Sequence, residues 1–300
     1  MTLHSRPYAG EDDYELMRGL VRDIYAVGGQ PTYGSVGDID WWRSAEDDPD
    51  NLTAQLWFDD NMLVGIAWPA DPQVDMFSHP HYRYIEPNML DWAEDWRSRT
   101  PAANQPPKLR GWSFNGDTPR RRLLIERGYT RADTCLQYRS RPIEGRVEAR
   151  PVPSGYLVRN VAGEHEAEQR VAVHRDAFAP SQMSLKYYKT ARRMPTYRQA
   201  LDLVAVAPDG TFAAFCIVWW DSLNKLGVFE PVGCHSEHRR RGLASAVMTE
   251  GLRRLYDLGA RTAQVTTGCS NAGAAALYEA LGFRLVDENW AYDRVFSAES

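Results

Sequence analysis

The sequence predicts an α/β (α+β) protein made of two tandem copies of one domain, each a mixed, mostly antiparallel sheet flanked by helices. Three observations predict it. One succession of short apolar runs and amphipathic stretches occurs twice in the 300 residues. Equivalent landmarks in the two copies are separated by a nearly constant offset. A stretch rich in proline and charge, RPIEGRVEARPVPSG (141–155), lies between them. The length suits two cores of ordinary size.

The first copy begins with LHSRPY (3–8) and the second with YLVRNV (156–161), strand-like starts with Arg6 and Arg159 in the same place. Each leads into an acidic stretch and a helical pattern. In the first copy Leu16, Leu20, Val21 and Ile24 recur at helical spacing between Asp12 and Tyr25. In the second, Val171, Val173, Ala177 and Phe178 do so between Glu164 and Phe178. Paired strands follow. LTAQLWFDDNMLVGIAW (52–68) turns at Asp59–Asp60–Asn61, and LDLVAVAPDGTFAAFCIVWW (201–220) turns at Pro208–Asp209–Gly210. A third strand of this group is VDMF (74–77) in one copy and LGVFEPVGC (226–234) in the other. An arginine-containing turn then opens a helix. Each copy closes with a strand, a short helix ending at Gly128–Tyr129 or Gly282–Phe283, and a last strand.

The order is therefore β-α-α-β-β-β-α-β-α-β in each half, which implies a mixed sheet covered by helices. Arg6 and Arg159 are 153 positions apart, Arg83 and Arg239 are 156 apart, and Gly128 and Gly282 are 154 apart. The division expected is a first domain over 1–143, a linker over 144–153 and a second domain over 154–300.

Composition narrows the function. Hydrophobic residues make up 43 % and charged residues 25 %, values of a globular chain. The formal net charge of −5 argues against a general nucleic-acid binder. Ten tryptophans and fifteen tyrosines suggest flat-walled cores or pockets. Trp41, Trp42, Trp57, Trp68, Trp92 and Trp96 are expected mainly in the core or between the halves. Cys135, Cys216, Cys234 and Cys269 are too far apart for a C-x-x-C pair, so reduced cysteines are expected and a disulfide framework is not. No apolar leader or membrane-length run is present, so a cytoplasmic protein without membrane contact is expected. His235 and His238 have no third ligand at useful spacing, so no metal is expected.

The chemistry concentrates after the strand ending at Cys234. There His235–Ser236–Glu237–His238 runs into Arg239-x-x-Gly242-x-Ala244 and the helix LASAVMTEGLRRLYDLG. A glycine turn opening a helix presents unpaired backbone N–H groups and the positive end of the helix dipole. Such a turn suits a phosphate or pyrophosphate. Gly242 and Ala244 keep side-chain bulk away from the anion. By itself Arg239–Arg240–Arg241 reads equally as a solvated charge run. A second signal decides: TTGCSNAGAAALYEALGF (266–283), a strand end, Asn271, and a short helix carrying Ala274, Leu277 and Tyr278 before Gly282–Phe283.

These two stretches, about 60 residues over 226–283, resemble motifs A and B of the GNAT superfamily of acetyl-CoA-dependent N-acetyltransferases. The tandem arrangement is similar to that of mycothiol synthase-like proteins. The resemblance implies acetyl-CoA as co-substrate and direct transfer of its acetyl group to an amine in the C-terminal half. It implies that the backbone N–H groups of Arg239, Arg240, Arg241, Gly242, Leu243 and Ala244 hold the pyrophosphate. Val232, Gly233 and Cys234 would pair with the pantetheine arm, and one N–H there would polarise the thioester carbonyl. Asn271 would touch the pantetheine, start the next helix, or both. Tyr278 would protonate the leaving thiolate. The base would be Glu230, which shares a strand face with Val232 and Cys234 by period two, or Asp221 at the end of IVWWD. Cys234 is expected to serve through its backbone, since direct transfer needs no acyl-enzyme.

The first copy has lost the pattern. Its turn reads RYIEPN (83–88), with Glu86 at the glycine position and Pro87 lacking an N–H. Leu124 stands at the Tyr278 position and Asp117 at the Asn271 position. The N-terminal half is thus expected not to bind acetyl-CoA, serving as scaffold or acceptor wall. The acceptor, a small-molecule amine or a peptide, is expected to enter between the halves near Phe178, Met183 and Tyr187. Two other readings stand beside transfer from acetyl-CoA: a non-catalytic acyl-CoA-binding regulator, and an acyltransferase using another acyl-CoA. A monomer and a homodimer fit equally.

Overall fold

The computed structural model describes residues 2–100 and 107–296. The first half runs β1 (Leu3–Pro7), α1 (Glu11–Gly28), α2 (Val36–Ala45), β2 (Gln55–Asp59), β3 (Met62–Ala70), β4 (Gln73–Ser78), α3 (Glu86–Arg99), β5 (Lys108–Phe114), α4 (Thr118–Glu126) and β6 (Thr130–Pro142). The second runs β7 (Leu157–Asn160), α5 (Ala167–Ala177), α6 (Leu185–Ala191), β8 (Asp202–Val206), β9 (Phe212–Asp221), β10 (Leu226–Cys234), α7 (Leu243–Asp257), β11 (Thr262–Gly268), α8 (Ala272–Ala280) and β12 (Arg284–Val295). The expected element order holds in both halves.

The internal repeat extends to single contacts. The Arg6 guanidinium clamps Asp13 with two bonds of 2.5 and 2.6 Å, and Arg159 clamps Glu166 at 2.9 and 2.6 Å. Each carboxylate also accepts a backbone N–H, from Ala9 or Ala162. Each arginine lies over a phenylalanine ring, Phe58 or Phe212. The same charge-assisted clamp thus ties the first strand to the first helical segment in both copies.

The two sheets are one. Strand order is β1-β2-β3-β4-β5-β12-β6-β11-β10-β9-β8-β7. The last strands have changed places. β12 pairs antiparallel with β5, and β6 pairs antiparallel with β11. The linear division of the sequence therefore runs across a sheet that interleaves its final strands. The exchange also brings Cys135 on β6 and Cys269 after β11 together across 134 residues, and they form a disulfide. This corrects the expectation of four reduced cysteines, which rested on spacing along the chain. Cys216 and Cys234 are free.

Alternation along β9 separates two layers. Ala214, Cys216, Val218 and Trp220 pack with α7, among Leu243, Val247, Leu252 and Leu255. Ile217 and Trp219 face the opposite way, into a cluster with Val171, Tyr188 and Trp41. Trp41 belongs to α2 of the first half, so this second cluster joins the halves. α2 lies flat on the sheet because position 37 has no side chain; a Cβ there would come 2.4 Å from Cβ of Trp219. Asp40 anchors it. Its fully buried carboxylate accepts from Arg18 Nε (2.9 Å), Tyr14 Oη (2.5 Å), and both N (2.9 Å) and Oγ1 (2.5 Å) of Thr196 in the second half.

Both halves open between their fourth and fifth strands. β4 and β5 pair only at Gln73 and Arg110. β10 and β11 run parallel from Leu226/Thr262 to Phe229/Val265 and then separate. Among the described residues no helix is long and apolar enough to cross a membrane.

Asp40→Ala is expected to cost about 3–5 kcal/mol of stability, because it strips the buried Arg18 Nε, Tyr14 and Thr196 of their shared acceptor and leaves Arg18 only the exposed Glu15. Urea unfolding of the variant against the parent chain measures this; equal midpoints would contradict the anchoring role.

Candidate active site

The opening between β10 and β11 forms a groove of about 500 Å³, lined by Phe178, Met183, Tyr187, Glu230, Val232, Asn271, Ala274 and Tyr278 among others. A bulge creates it. β10 is in one register with β9 up to Phe229/Val218 and in another from Val232/Cys216. Glu230 and Pro231 lie in the bulge, and the indole N–H of Trp219 donates to the Glu230 carbonyl at 2.6 Å. Beyond Phe229 the β11 side of β10 has no strand partner, leaving an edge at Val232–Cys234 for an extended ligand. Gly233 is required there, since a Cβ would meet Phe215 at 2.4 Å.

At the end of β10, the chain makes a 3-10 turn over Ser236–His238 and reaches the expected anion turn. Arg240 and Gly242 adopt left-handed backbone conformations, with φ of 59° and 76°. Gly242 is the N-cap of α7, and the helix's hydrogen bonds begin with Ala246 N to Gly242 O. The N–H groups of Leu243, Ala244 and Ser245 thus have no acceptor inside the helix. Arg239, Arg240 and Arg241 are exposed, and Arg241 donates to Tyr156 Oη at 2.8 Å. The shape and free donors fit a pyrophosphate.

Asn271 is the N-cap of α8, its Oδ1 accepting from Ala274 N at 3.1 Å, and it also lines the groove. Tyr278, one helical face along, is buried. Burial, with the nearby Glu230 carboxyl, pushes its pKa well up and keeps it a proton donor. Cys234 is half-buried, and burial raises its thiol pKa, so it stays a thiol. Of the two expected bases, Glu230 is in the groove. Asp221 is not. It sits at the far end of β9, where Oδ1 accepts from Leu223 N (3.1 Å) and Arg22 Nε (3.3 Å) and Oδ2 from Asn224 Nδ2 (2.9 Å). Its carboxylate closes the β9–β10 turn and ties it to α1.

Glu230 also lines a second cavity, about 340 Å³, which lies between the halves. Its floor comes from β4, β5, β6, β10, β11 and β12, and α2 with the segment before it bounds it on another side. Asp38 of α2 stands within hydrogen-bonding reach of Glu230. Burial and then the Asp38 carboxyl push the Glu230 pKa up to about 8. Burial likewise raises Asp38, although its bonds to Ser35 oppose the shift. Asp75 on β4 is half-buried, and its desolvation together with the Asp38 charge pushes it up to about 7 despite a 3.0 Å bond from Gln73. Sequence reasoning missed Asp38 and Asp75. Asp38 completes a capping box with Ser35, a local pattern with no catalytic signature. Only the strand exchange and the seating of α2 bring these acids to Glu230.

The counterpart wedge in the first half is crossed by an ion-pair network. Buried Arg120, at the position of Ala274, donates to Glu86 (3.1 Å) and to the Met76 carbonyl (3.0 Å). Arg83 bonds Glu86 at 2.7 Å and Asp117 at 2.8 Å. Burial alone would raise the Glu86 pKa, but Arg120 and Arg83 hold it down at about 2. Leu124, at the Tyr278 position, packs fully buried against Gly111.

Residues 158–283 match the family model described as Acetyltransferase (GNAT) family. Mycothiol acetyltransferase of Salinispora arenicola is 26 % identical over 78 % of this chain and 79 % of its own length. The enzyme of the same name from Streptomyces coelicolor is 29 % identical over 59 % of this chain, and the match spans 58 % of that relative. The tandem GNAT protein from the clavulanic acid biosynthesis pathway superposes with a TM-score of 0.70, at 16 % identity, over the full length of both chains. A GCN5-related N-acetyltransferase from Sphaerobacter thermophilus also gives 0.70, at 18 % identity, over 98 % of this chain and 95 % of its own.

Asp38→Asn removes a negative neighbour, so the Glu230 pKa is expected to fall toward the ordinary carboxylate range. Carbon-detected NMR titration of the glutamate carboxyls measures it. An unmoved Glu230 titration would contradict the pairing.

Proposed function

We infer from the match of residues 158–283 to the acetyltransferase (GNAT) family model, and from the likeness to mycothiol acetyltransferases, that the C-terminal half is an N-acetyltransferase domain. From that premise we propose that this half transfers the acetyl group of acetyl-CoA directly to a small-molecule amine held between the halves. The observation that carries this reading is the position of Glu230, which lines both the β10–β11 groove and the cavity between the halves. A carboxyl at that junction faces both reactants.

The N–H groups of residues 239–244 hold the pyrophosphate, and the open edge of Val232–Cys234 pairs with the pantetheine arm. The acceptor enters as an ammonium, whose charge favours ionisation of the Glu230–Asp38 pair. Glu230 takes its proton, and the neutral nitrogen attacks the thioester carbonyl. The C–N bond forms and the C–S bond breaks. A backbone N–H at the β10 edge steadies the developing oxyanion. Tyr278 gives its proton to the departing thiolate and regains one as the nitrogen, now bonded to the acetyl carbon, loses its second proton to leave a neutral amide. Asp38 acts through Glu230 and is a positioning residue. The first half supplies Asp38 and a wall of the acceptor cavity. Its own wedge, crossed by Arg120, does not bind acetyl-CoA. The mycothiol acetyltransferase relatives bring a mycothiol-type amine into the candidate acceptors.

Transfer is tested by following coenzyme A release across a panel of amines. Tyr278→Phe is expected to lower kcat about a hundredfold or more with acetyl-CoA affinity unchanged; equal turnover at all pH values would remove the acid. Gly242→Glu is expected to abolish acetyl-CoA binding, since a carboxylate would occupy the anion turn. Calorimetry is expected to find one acetyl-CoA per chain, and a stoichiometry of two would contradict the reading of the first half.

A further inference from the structure

The cavity between the halves has an unbalanced charge. Asp38, Asp75 and Glu230 all line it. Only one lining residue is cationic, Arg120, and its guanidinium is held by Glu86 at 2.9 Å, with a further bond to the Met76 carbonyl. Among the described residues no lysine, arginine or histidine forms an ion pair with any of the three acids, whereas Asp40, two positions along α2, is paired with Arg18. Buried carboxyls without a cation are costly. Burial pushes all three toward the protonated form, and the Asp38 charge adds to this at Asp75 and Glu230.

The lining also holds acceptors without donors. Tyr138, on β6, is 7 % exposed, and among the described residues its hydroxyl has Thr32 beside it but no well-formed hydrogen bond. Asn289, on β12, has a buried Oδ1 with no donor. Both residues line the same cavity. A polar group nine-tenths buried and unpaired calls for a partner from outside the chain. What these groups lack in common is an N–H-rich cation. The remaining walls include Trp42 and Trp112, aromatic side chains that suit methylenes and ammonium groups, whereas the Tyr33 ring is covered by Arg120.

The acids are not all in one place. Glu230 lines both cavities and is in hydrogen-bonding reach of Asp38, whereas Asp75, on β4, lines only the cavity between the halves and meets Asp38 by charge alone. We propose that the acceptor is a compact dication, an aliphatic diamine or an amine bearing a second basic nitrogen. One nitrogen sits at the Glu230–Asp38 pair and is acetylated, while the other stays protonated against Asp75. This rests on the reading that acetyl transfer occurs at Glu230. The reaction removes one positive charge and leaves the other, so the product, a monoacetylated diamine, is held by Asp75 alone. The second nitrogen sits away from the thioester, which makes the enzyme selective for a single acetylation.

The test uses the full chain and a series from diaminopropane to diaminohexane, with butylamine, aminobutanol and glucosamine as controls. Acetyl transfer and amine binding by calorimetry are read separately. The best diamine is expected to exceed butylamine and aminobutanol in kcat/KM by about ten- to a hundredfold, the worth of one charged hydrogen bond. Asp75→Asn is expected to raise KM for the diamines about ten- to a hundredfold, so that the ratio of diamine to monoamine kcat/KM falls to about one. Equal use of all amines, preference for glucosamine, or indifference of diamines to Asp75→Asn would overturn the proposal while leaving acetyl transfer standing. Diamine binding that depends on Asp75 without any transfer would support the dication site and remove the transfer reading. Loss of both would overturn both.

Discussion

The seating of α2 on the sheet of the second half is the contact on which the site depends. It rests on two residues. Gly37 lets the helix backbone approach Trp219, and Asp40 binds Thr196 while neutralising Arg18. Asp38 lies between them in sequence. With its neighbours fixed, its carboxyl accepts from Ser35 N and lines the cavity that Glu230 also lines. The Trp219 indole that α2 covers also holds the Glu230 carbonyl. One packing contact therefore sets both members of the carboxyl pair, and the strand exchange of β6 and β12 keeps the halves in the register this needs.

The two copies show how one framework serves two ends. Both retain the Arg–carboxylate clamp, the splayed strands, the N-cap before the short helix and the left-handed glycine after it, Gly128 or Gly282. They differ where a ligand would lie. The second copy leaves space and free N–H groups at the anion turn, with small Ala274 beneath. The first places Arg120 in the equivalent space and compensates it with Glu86 and, through Arg83, Asp117. Its charges satisfy one another internally, which turns a binding wedge into a rigid wall for the neighbouring cavity.

Much of this was legible in the sequence because it is local. The Pro-Asp-Gly hairpin, the glycine turn opening α7 and the Asn271 cap depend on residues close in the chain, and the repeat offset recovered the element order. Glu230 was found from strand alternation, although β10 carries a bulge there. Other features depend on contacts between distant segments. Asp38 reads as a helix cap, Asp75 as one acid on a strand, and Cys135 and Cys269 as isolated thiols. Glu86 takes the glycine position of the first copy's turn, yet its charge is neutralised by two arginines, and it is Arg120 that fills the space. Asp221 looked like a base on the strand end, but the turn it closes is too tight to release it.

The central claim is that the catalytic carboxyl works as a pair assembled from both halves. A double-mutant cycle on kcat/KM with Asp38→Asn and Glu230→Gln tests it most directly. If the two act as one unit, the double variant loses little more than Glu230→Gln alone, because Asp38 has nothing left to position. If the losses multiply, the carboxyls act independently and the composite site is contradicted.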